Sequence, residues 1–262
     1  MKYDLRNKTV IISGANGGIG RALVLLLTEK YNCKIFGIGR NREKMQSLID
    51  ALGEKSEQFT PIYMDITSSD YSPLNVIDNA DMLINNAGFM PPFSPTAQNN
   101  TEDFERVMKC NFFAQISLTK HLLPKLKKSE KGAVVFISSS DALCPISGTA
   151  SYGASKAALK AYGETLSQEE CGLYVATVMP GFTKTELFSD ISIDSGLIAK
   201  LASTPEKTAK HIVKGLKKAK PRIITGADAH WMNFLYKIMP VKGPRLIRKI
   251  LKKSGLDAFK DI

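Results

Sequence analysis

Thr9-Val10-Ile11-Ile12-Ser13-Gly14-Ala15-Asn16-Gly17-Gly18-Ile19-Gly20 begins as a short β-rich run and breaks into glycines. It continues as Arg21-Ala22-Leu23-Val24-Leu25-Leu26-Leu27, which has helix-forming content and length. Strand, glycine turn and helix in that order form the arrangement that holds a dinucleotide's pyrophosphate. The glycines permit a tight turn, close approach of backbone to phosphate, and close packing of helix on sheet. The helix N-terminus adds N–H groups and partial positive charge. Glycine-rich turns also occur as plain loops, so the flanking strand and helix carry much of this reading.

Working outward, short apolar runs recur at Lys34 to Ile38, Pro61 to Met64, Met82 to Ile84, Ala133 to Ile137, Tyr174 to Val178 and Arg222 to Thr225. Longer segments with helical spacing lie between them, such as Glu102 to Lys125 and Ser151 to Glu169. Alternation of this kind predicts parallel strands joined by right-handed crossovers. The expected fold is α/β, a Rossmann-type doubly wound sheet of about seven strands with helices on both faces.

At 262 residues and 44% hydrophobic content the chain suits one large domain, and no Pro/Ser-rich spacer or repeat divides it. Residues 1–262 are therefore read as a single domain. The start, Met1-Lys2-Tyr3-Asp4-Leu5-Arg6, has no secretory pattern, and no apolar run approaches the roughly 20 residues of a membrane span. Cys33, Cys110, Cys144 and Cys171 are widely spaced and read as free thiols, which with the polar start points to the cytoplasm. His121, His211 and His230 share no ligand spacing, so no metal is expected.

Tyr152-Gly153-Ala154-Ser155-Lys156 places a phenol and an ammonium at i and i+4, on one face of a helix. A tyrosine of ordinary pKa, about 10, is a poor base at neutral pH. A close ammonium, with a cationic nicotinamide ring, is expected to lower it by about three units, which asks for roughly 4 kcal/mol. Lys156 then activates and Tyr152 carries the proton. In isolation such a pair is usually a solvated face, and Ser138-Ser139-Ser140 would be a plain turn.

The motifs together resemble the short-chain dehydrogenase/reductase family. Its turn runs Thr-Gly-x-x-x-Gly-x-Gly, and here Ser13 replaces the threonine and keeps the hydroxyl. Asn85-Asn86-Ala87-Gly88, Asn111, Ser139, the Tyr152/Lys156 pair and Pro180-Gly181-Phe182-Thr183-Lys184-Thr185 follow in family order. The resemblance extends from the first strand to about Thr185. It implies a catalytic set of Asn111, Ser139, Tyr152 and Lys156. Ser139 would hydrogen-bond the substrate oxygen, with spacing alone choosing it over Ser138 and Ser140. Lys156 would also hold the nicotinamide ribose, and Asn111 would position a water leading from Lys156 to bulk solvent.

For the cofactor, the resemblance implies a cradle made by Gly14, Asn16, Gly17, Gly18, Ile19 and Gly20. Asp65 would accept from the adenine amino group beside Ile66, and Asn86, Ala87 and Gly88 would border the ribose. Pro180, Gly181, Thr183 and Thr185 would contact carboxamide and phosphates. At the end of the second run Gly39 stands where an acid would bind the 2′-hydroxyl of NAD, and Arg40 follows. An arginine fork suits a 2′-phosphate, so NADP(H) is favoured over NAD(H). An exposed arginine in a basic loop with Arg42 and Lys44 is the plainer reading.

From Glu206 to Lys253 there are 14 Lys/Arg and 2 acids, a balance of 14 − 2 = +12 against +11 for the chain. Within it Trp231, Phe234, Leu235, Ile238 and Met239 form one helical stripe. Leu246, Ile247, Ile250 and Leu251 form another, opposite Arg245, Arg248, Lys249, Lys252 and Lys253. This amphipathic segment, about 227–255, has three readings. Its stripes pack on the pocket or a second subunit, or it attaches to anionic lipid, or it steers an acidic carrier. Nucleic acid has no motif behind it. Leu187, Phe188, Ile191, Ile193, Leu197, Ile198 and Leu201 in the expected substrate segment favour an apolar substrate. The resemblance implies an NADP(H)-dependent oxidoreductase interconverting a ketone or aldehyde and an alcohol, and a homo-oligomer. The alternative is a non-catalytic NADP(H)-sensing regulator docking through its basic C-terminus.

Overall fold

The computed structural model describes residues 2–188, 202–253 and 259. Seven strands form one parallel sheet: β1 (Thr9–Ser13), β2 (Lys34–Gly39), β3 (Phe59–Tyr63), β4 (Met82–Asn85), β5 (Ala133–Ile137), β6 (Tyr174–Pro180) and β7 (Arg222–Thr225). Their order is β3-β2-β1-β4-β5-β6-β7, with every pairing parallel. The chain reverses its direction of winding after β3 and restarts at β4, beside β1. That is the switch point where an open α/β sheet leaves a crevice.

The helices are α1 (Gly18–Tyr31), α2 (Arg42–Leu52), α3 (Thr101–Met108), α4 (Ala114–Lys127), α5 (Ala150–Glu169), α6 (Pro205–Lys217), α7 (Ala227–Ile238) and α8 (Lys242–Lys252). Several starts are written in local chemistry. Asn41 accepts from Lys44 N, Asn100 from Asp103 N and Thr204 from Lys207 N, each satisfying an orphan donor of the first turn. Pro205 opens α6, where its missing N–H costs nothing.

Side chains alternate across the strands, so each face of the sheet gains its own core. Val10 and Ile12 pack with Leu23, Leu27, Ile212 and Leu216 from α1 and α6. Ile11 points the other way, among Leu118, Leu122, Leu159 and Leu166 from α4 and α5. A third cluster joins Met232 and Leu235 of α7 and Ile247 and Leu251 of α8 to Cys144 and Phe182.

Three expectations need correction. The third strand begins at Phe59, two residues before Pro61, because β3 is an edge strand whose outer side needs no donor from proline. The helical run Glu102 to Lys125 is interrupted by a π-helical turn, Lys109–Phe113, centred on Asn111. The stripe of Trp231, Phe234, Leu235, Ile238 and Met239 does not face one way. Leu235 is buried with Met232, whereas Trp231, Phe234 and Ile238 are exposed. Likewise Ile247 and Leu251 are buried and Leu246 is exposed. Ile191, Ile193, Leu197, Ile198 and Leu201 lie outside the described residues.

Candidate active site

A cavity of about 500 Å³ opens over the carboxyl ends of the strands, within the range of small-molecule and cofactor sites. Residues following β1, β2, β4, β5 and β6 all contribute to its wall.

The glycine turn meets the conditions for a phosphate cradle. Gly14 and Gly18 have φ of 65° and 46°, a region costly for other residues. A Cβ on Gly20 would overlap the Gly14 carbonyl, so this glycine closes the helix onto the turn. Around Gly17 there is open space, and no side chain caps the start of α1. The first N–H groups of that helix are thus left facing the cavity side of the turn. Gly14, Asn16, Gly17, Gly18 and Ile19 line the cavity, while Gly20 lies behind its wall.

The turn is tied to the end of β4 by two side chains. Ser13 Oγ accepts from Asn86 N at 3.0 Å and Ala87 N at 3.1 Å. Asn86 Nδ2 donates to Ser13 O at 3.1 Å and Gly14 O at 3.0 Å. The hydroxyl retained at Ser13 therefore fixes Asn86, Ala87 and Gly88 against the cradle, and these three line the cavity too.

At the rim, Arg40 Nη1 pairs with Asp65 Oδ2 at 2.9 Å, and Asp65 Oδ1 accepts from Thr67 N and Oγ1. These bonds outweigh partial burial and hold the Asp65 carboxyl below its usual range. Two residues assigned separate cofactor contacts thus bond each other, and Ile66 lies beside them in the cavity wall. A Cβ at Gly39 would come within 2.9 Å of Met45 Cε and 3.0 Å of Asn16. A side chain there would have to displace the flexible end of Met45 and the Asn16 amide. Lys44, unassigned from sequence, pairs with Glu186 across the same rim. Pro180, Gly181, Thr183 and Thr185 line the opposite side, with Thr185 packed on Gly18.

Ser139, Tyr152 and Lys156 come together at the inner end. The structure distinguishes Ser138 from Ser139: Ser138 Oγ donates to Lys156 O at 2.7 Å, whereas Ser139 Oγ accepts from Asp141 N at 3.2 Å and stands by the Tyr152 phenol. Burial raises the Tyr152 phenol well above its ordinary value, and the nearby Ser139 hydroxyl lowers it only in part. Lys156 is not among the groups that shift it. Lys156 Nζ lies 5.7 Å from the ring centroid and donates to Ile137 O at 2.9 Å. Burial in turn brings Lys156 down to about 8.

Asn111 is fully buried behind the wall. Its Nδ2 donates to Phe89 O at 2.9 Å and Ser155 Oγ at 3.1 Å, and Oδ1 accepts from Phe89 N at 3.0 Å. The side chain clamps the segment after Gly88 onto α5. A Cβ on Gly88 would sit 3.0 Å from Asn111 Oδ1 and 3.3 Å from Lys156 Nζ, which holds these groups close together.

The sequence reading missed Asp141. It is buried in the cavity wall, accepts from Ile146 N at 2.8 Å, and lies 2.7 Å from Thr149 Oγ1. Burial raises its carboxyl to about 7. Gly153, next to Tyr152, packs directly on it. An acid two residues after a serine has no motif of its own, so only the fold reveals it. Phe89, Met90, Phe93, Ile146, Phe182 and Leu187 supply apolar wall near this end.

A family model described as short chain dehydrogenase matches residues 8–196. The benzil reductase ((S)-benzoin forming) of Saccharomyces cerevisiae is 33% identical over 198 residues, 70% of this chain and 74% of its own. The 3-oxoacyl-[acyl-carrier-protein] reductase of Rickettsia conorii is 31% identical over 238 residues, 87% of this chain and 96% of its own. Among solved structures, a short chain dehydrogenase of Shigella flexneri complexed with NADP superposes with a TM-score of 0.74 at 26% identity. That match covers 87% of this chain and all of the other. A 3-ketoacyl-(acyl-carrier-protein) reductase of Brucella melitensis, complexed with NADH, has a TM-score of 0.77. It covers 86% of this chain and 99% of the other, and at 18% identity it bears on the fold alone. With its seven-stranded parallel sheet, the glycine turn at the switch point and the matched family model, the chain belongs to the short-chain dehydrogenase/reductase family of oxidoreductases.

Proposed function

We propose that this protein is an NADP(H)-dependent oxidoreductase interconverting a ketone or aldehyde and an alcohol on an apolar substrate, with Tyr152 as general acid/base. The observation that carries the reading is that Ser139, Tyr152 and Lys156 share one cavity with the glycine cradle. The open space at Gly17 and the uncapped start of α1 fit a pyrophosphate. Gly14, Asn16, Gly17, Gly18 and Ile19 would hold it, and Arg40, with Lys44 beside it, would take the 2′-phosphate. When bound, the nicotinamide supplies or accepts the hydride.

The chain's own residues do the rest. Ser139 holds the substrate oxygen where negative charge develops. Tyr152 Oη gives that oxygen a proton during reduction and removes it during oxidation. Lys156, buried yet with a pKa near 8, keeps its proton at neutral pH and would hold the nicotinamide ribose, beside the Ile137 carbonyl to which it donates. Asn111 keeps the Gly88–Phe89 backbone against α5, near Lys156. Phe93, Ile146, Phe182 and Leu187 exclude water and favour an apolar group.

Replacing Tyr152 by Phe tests this. Turnover of a carbonyl substrate with NADPH is expected to fall by roughly 10²–10⁴-fold, while NADPH affinity changes little. A variant as active as the native protein would remove Tyr152 from the chemistry. Binding of NADPH without turnover by the native protein, across a broad carbonyl panel, would instead favour a cofactor-sensing regulator.

A further inference from the structure

Large apolar side chains exposed to solvent are concentrated in one place. Trp231, Phe234, Tyr236, Ile238, Val241 and Leu246 are all at least 37% exposed, and elsewhere among the described residues only Val76 and Phe113 join them. Trp231, Phe234 and Ile238 stand at i, i+3 and i+7 of α7, on one face of that helix. The other face is already used, because Met232 and Leu235 pack with Cys144 and Phe182. Val241 follows in the connection to α8, and Leu246 lies on α8 beside buried Ile247. None of these exposed residues lines the cavity.

Cations border this apolar surface. Lys237, Lys242 and Arg245 are exposed within the same stretch, and Arg248, Lys249 and Lys252 continue along α8. Between Ala229 and Lys253 the sequence contains no Asp or Glu. An isologous contact with a second copy would set these cations against themselves and leave them unpaired. A bilayer carrying acidic headgroups accepts both features, burying Trp231, Phe234 and Ile238 at the acyl boundary while Lys and Arg meet phosphate and carboxylate. Among the described residues no helix is long and apolar enough to cross a membrane, so attachment through this face is peripheral.

We propose that the outer face of α7, with Val241 and the cationic side of α8, docks on an anionic lipid surface. The inner face of α7 touches Phe182, which lines the cavity, so the docked surface lies one helix away from the pocket. Trp231 is the single tryptophan of the chain and reports on its own immersion.

The experiment adds phosphatidylcholine vesicles with and without about 30% phosphatidylserine to the purified full chain, following tryptophan emission and co-sedimentation. Emission is expected to shift to shorter wavelength, and protein to pellet, only with phosphatidylserine, and both to fade as salt rises. Phe234→Glu with Ile238→Glu should abolish binding. Lys237→Ser, Lys242→Ser and Arg245→Ser should each weaken it by roughly fivefold. Unchanged circular dichroism and melting temperature establish that each variant is folded, independently of any catalytic reading. No shift with acidic vesicles overturns the proposal, as does an equal shift on neutral ones. A shift that grows with protein concentration in buffer alone would assign the surface to a second copy. A shift induced by an acidic polypeptide but not by vesicles would assign it to a protein partner. Either result also overturns the proposal.

Discussion

At the residue scale, Arg40 and Asp141 show how environment changes the meaning of a side chain. Arg40 reads from sequence as a phosphate ligand, and the structure pairs it with Asp65 while leaving its side chain 74% exposed. Gly39 carries no acid beside it, and the carboxylate at this rim is that of Asp65. Arg40→Ala is expected to weaken NADPH binding by roughly 10–100-fold, the worth of a charge-assisted phosphate contact, and to leave NADH binding nearly unchanged. Fluorescence titration of both cofactors checks this, and equal losses for the two would refute a phosphate-specific role. Asp141 was invisible in the sequence because its effect comes from burial. Thr149 Oγ1 stands 2.7 Å from Asp141 Oδ2 and 2.9 Å from Ile146 O, and one hydroxyl proton cannot serve both. A protonated Asp141 resolves the conflict by donating to Thr149, which donates to Ile146. The folded carboxyl, near 7 against an ordinary 3.8, binds its proton more tightly than the unfolded chain does. This contribution to stability is complete below pH about 3.8 and is lost as pH rises to about 7. Asp141→Asn is expected to remove that fall, worth up to about 4 kcal/mol, in denaturant midpoints measured across the range. Parallel pH curves for native and variant would show that Asp141 does not titrate there.

At the element scale, the first strand–turn–helix unit was legible because its parts are local. Glycine at turn positions and an apolar helix after them need no distant partner to be recognised. What the sequence did not show was the fastening between this unit and β4. Ser13 Oγ receives two backbone N–H groups from the residues just after β4, 73 and 74 positions away, so the hydroxyl at this position is structural in this chain. Ser13→Ala leaves those buried donors without an acceptor and is expected to cost roughly 1–3 kcal/mol, with Ser13→Thr restoring most of it. Chemical unfolding of the two variants decides between this and a passive surface hydroxyl. The interruption of the α3–α4 run at Lys109–Phe113 was equally hidden, since helical periodicity carries no mark of a π turn. That turn puts Asn111 under Phe89 and Ser155.

At the scale of the whole molecule, Phe113 is 56% exposed on the face formed around the Lys109–Phe113 turn, which packs against α5. A homo-oligomer built on these helices would cover it. Light scattering is expected to give a mass above the 28.8 kDa of one chain, and Phe113→Glu to lower it. A native mass of one chain would exclude that assembly. The sequence by itself determined the alternation of strands and helices, the glycine turn and the order of the Asn111, Ser139, Tyr152 and Lys156 motif. Each of these depends on residue types in local patterns and on the order of those patterns along the chain. Tertiary structure decided which way charge and apolar surface point. Lys156 turns to Ile137 O, Arg40 to Asp65, and Trp231, Phe234 and Ile238 away from the core that Met232 and Leu235 fill. Those outcomes depend on what lies opposite each side chain, and no periodicity along the chain encodes it.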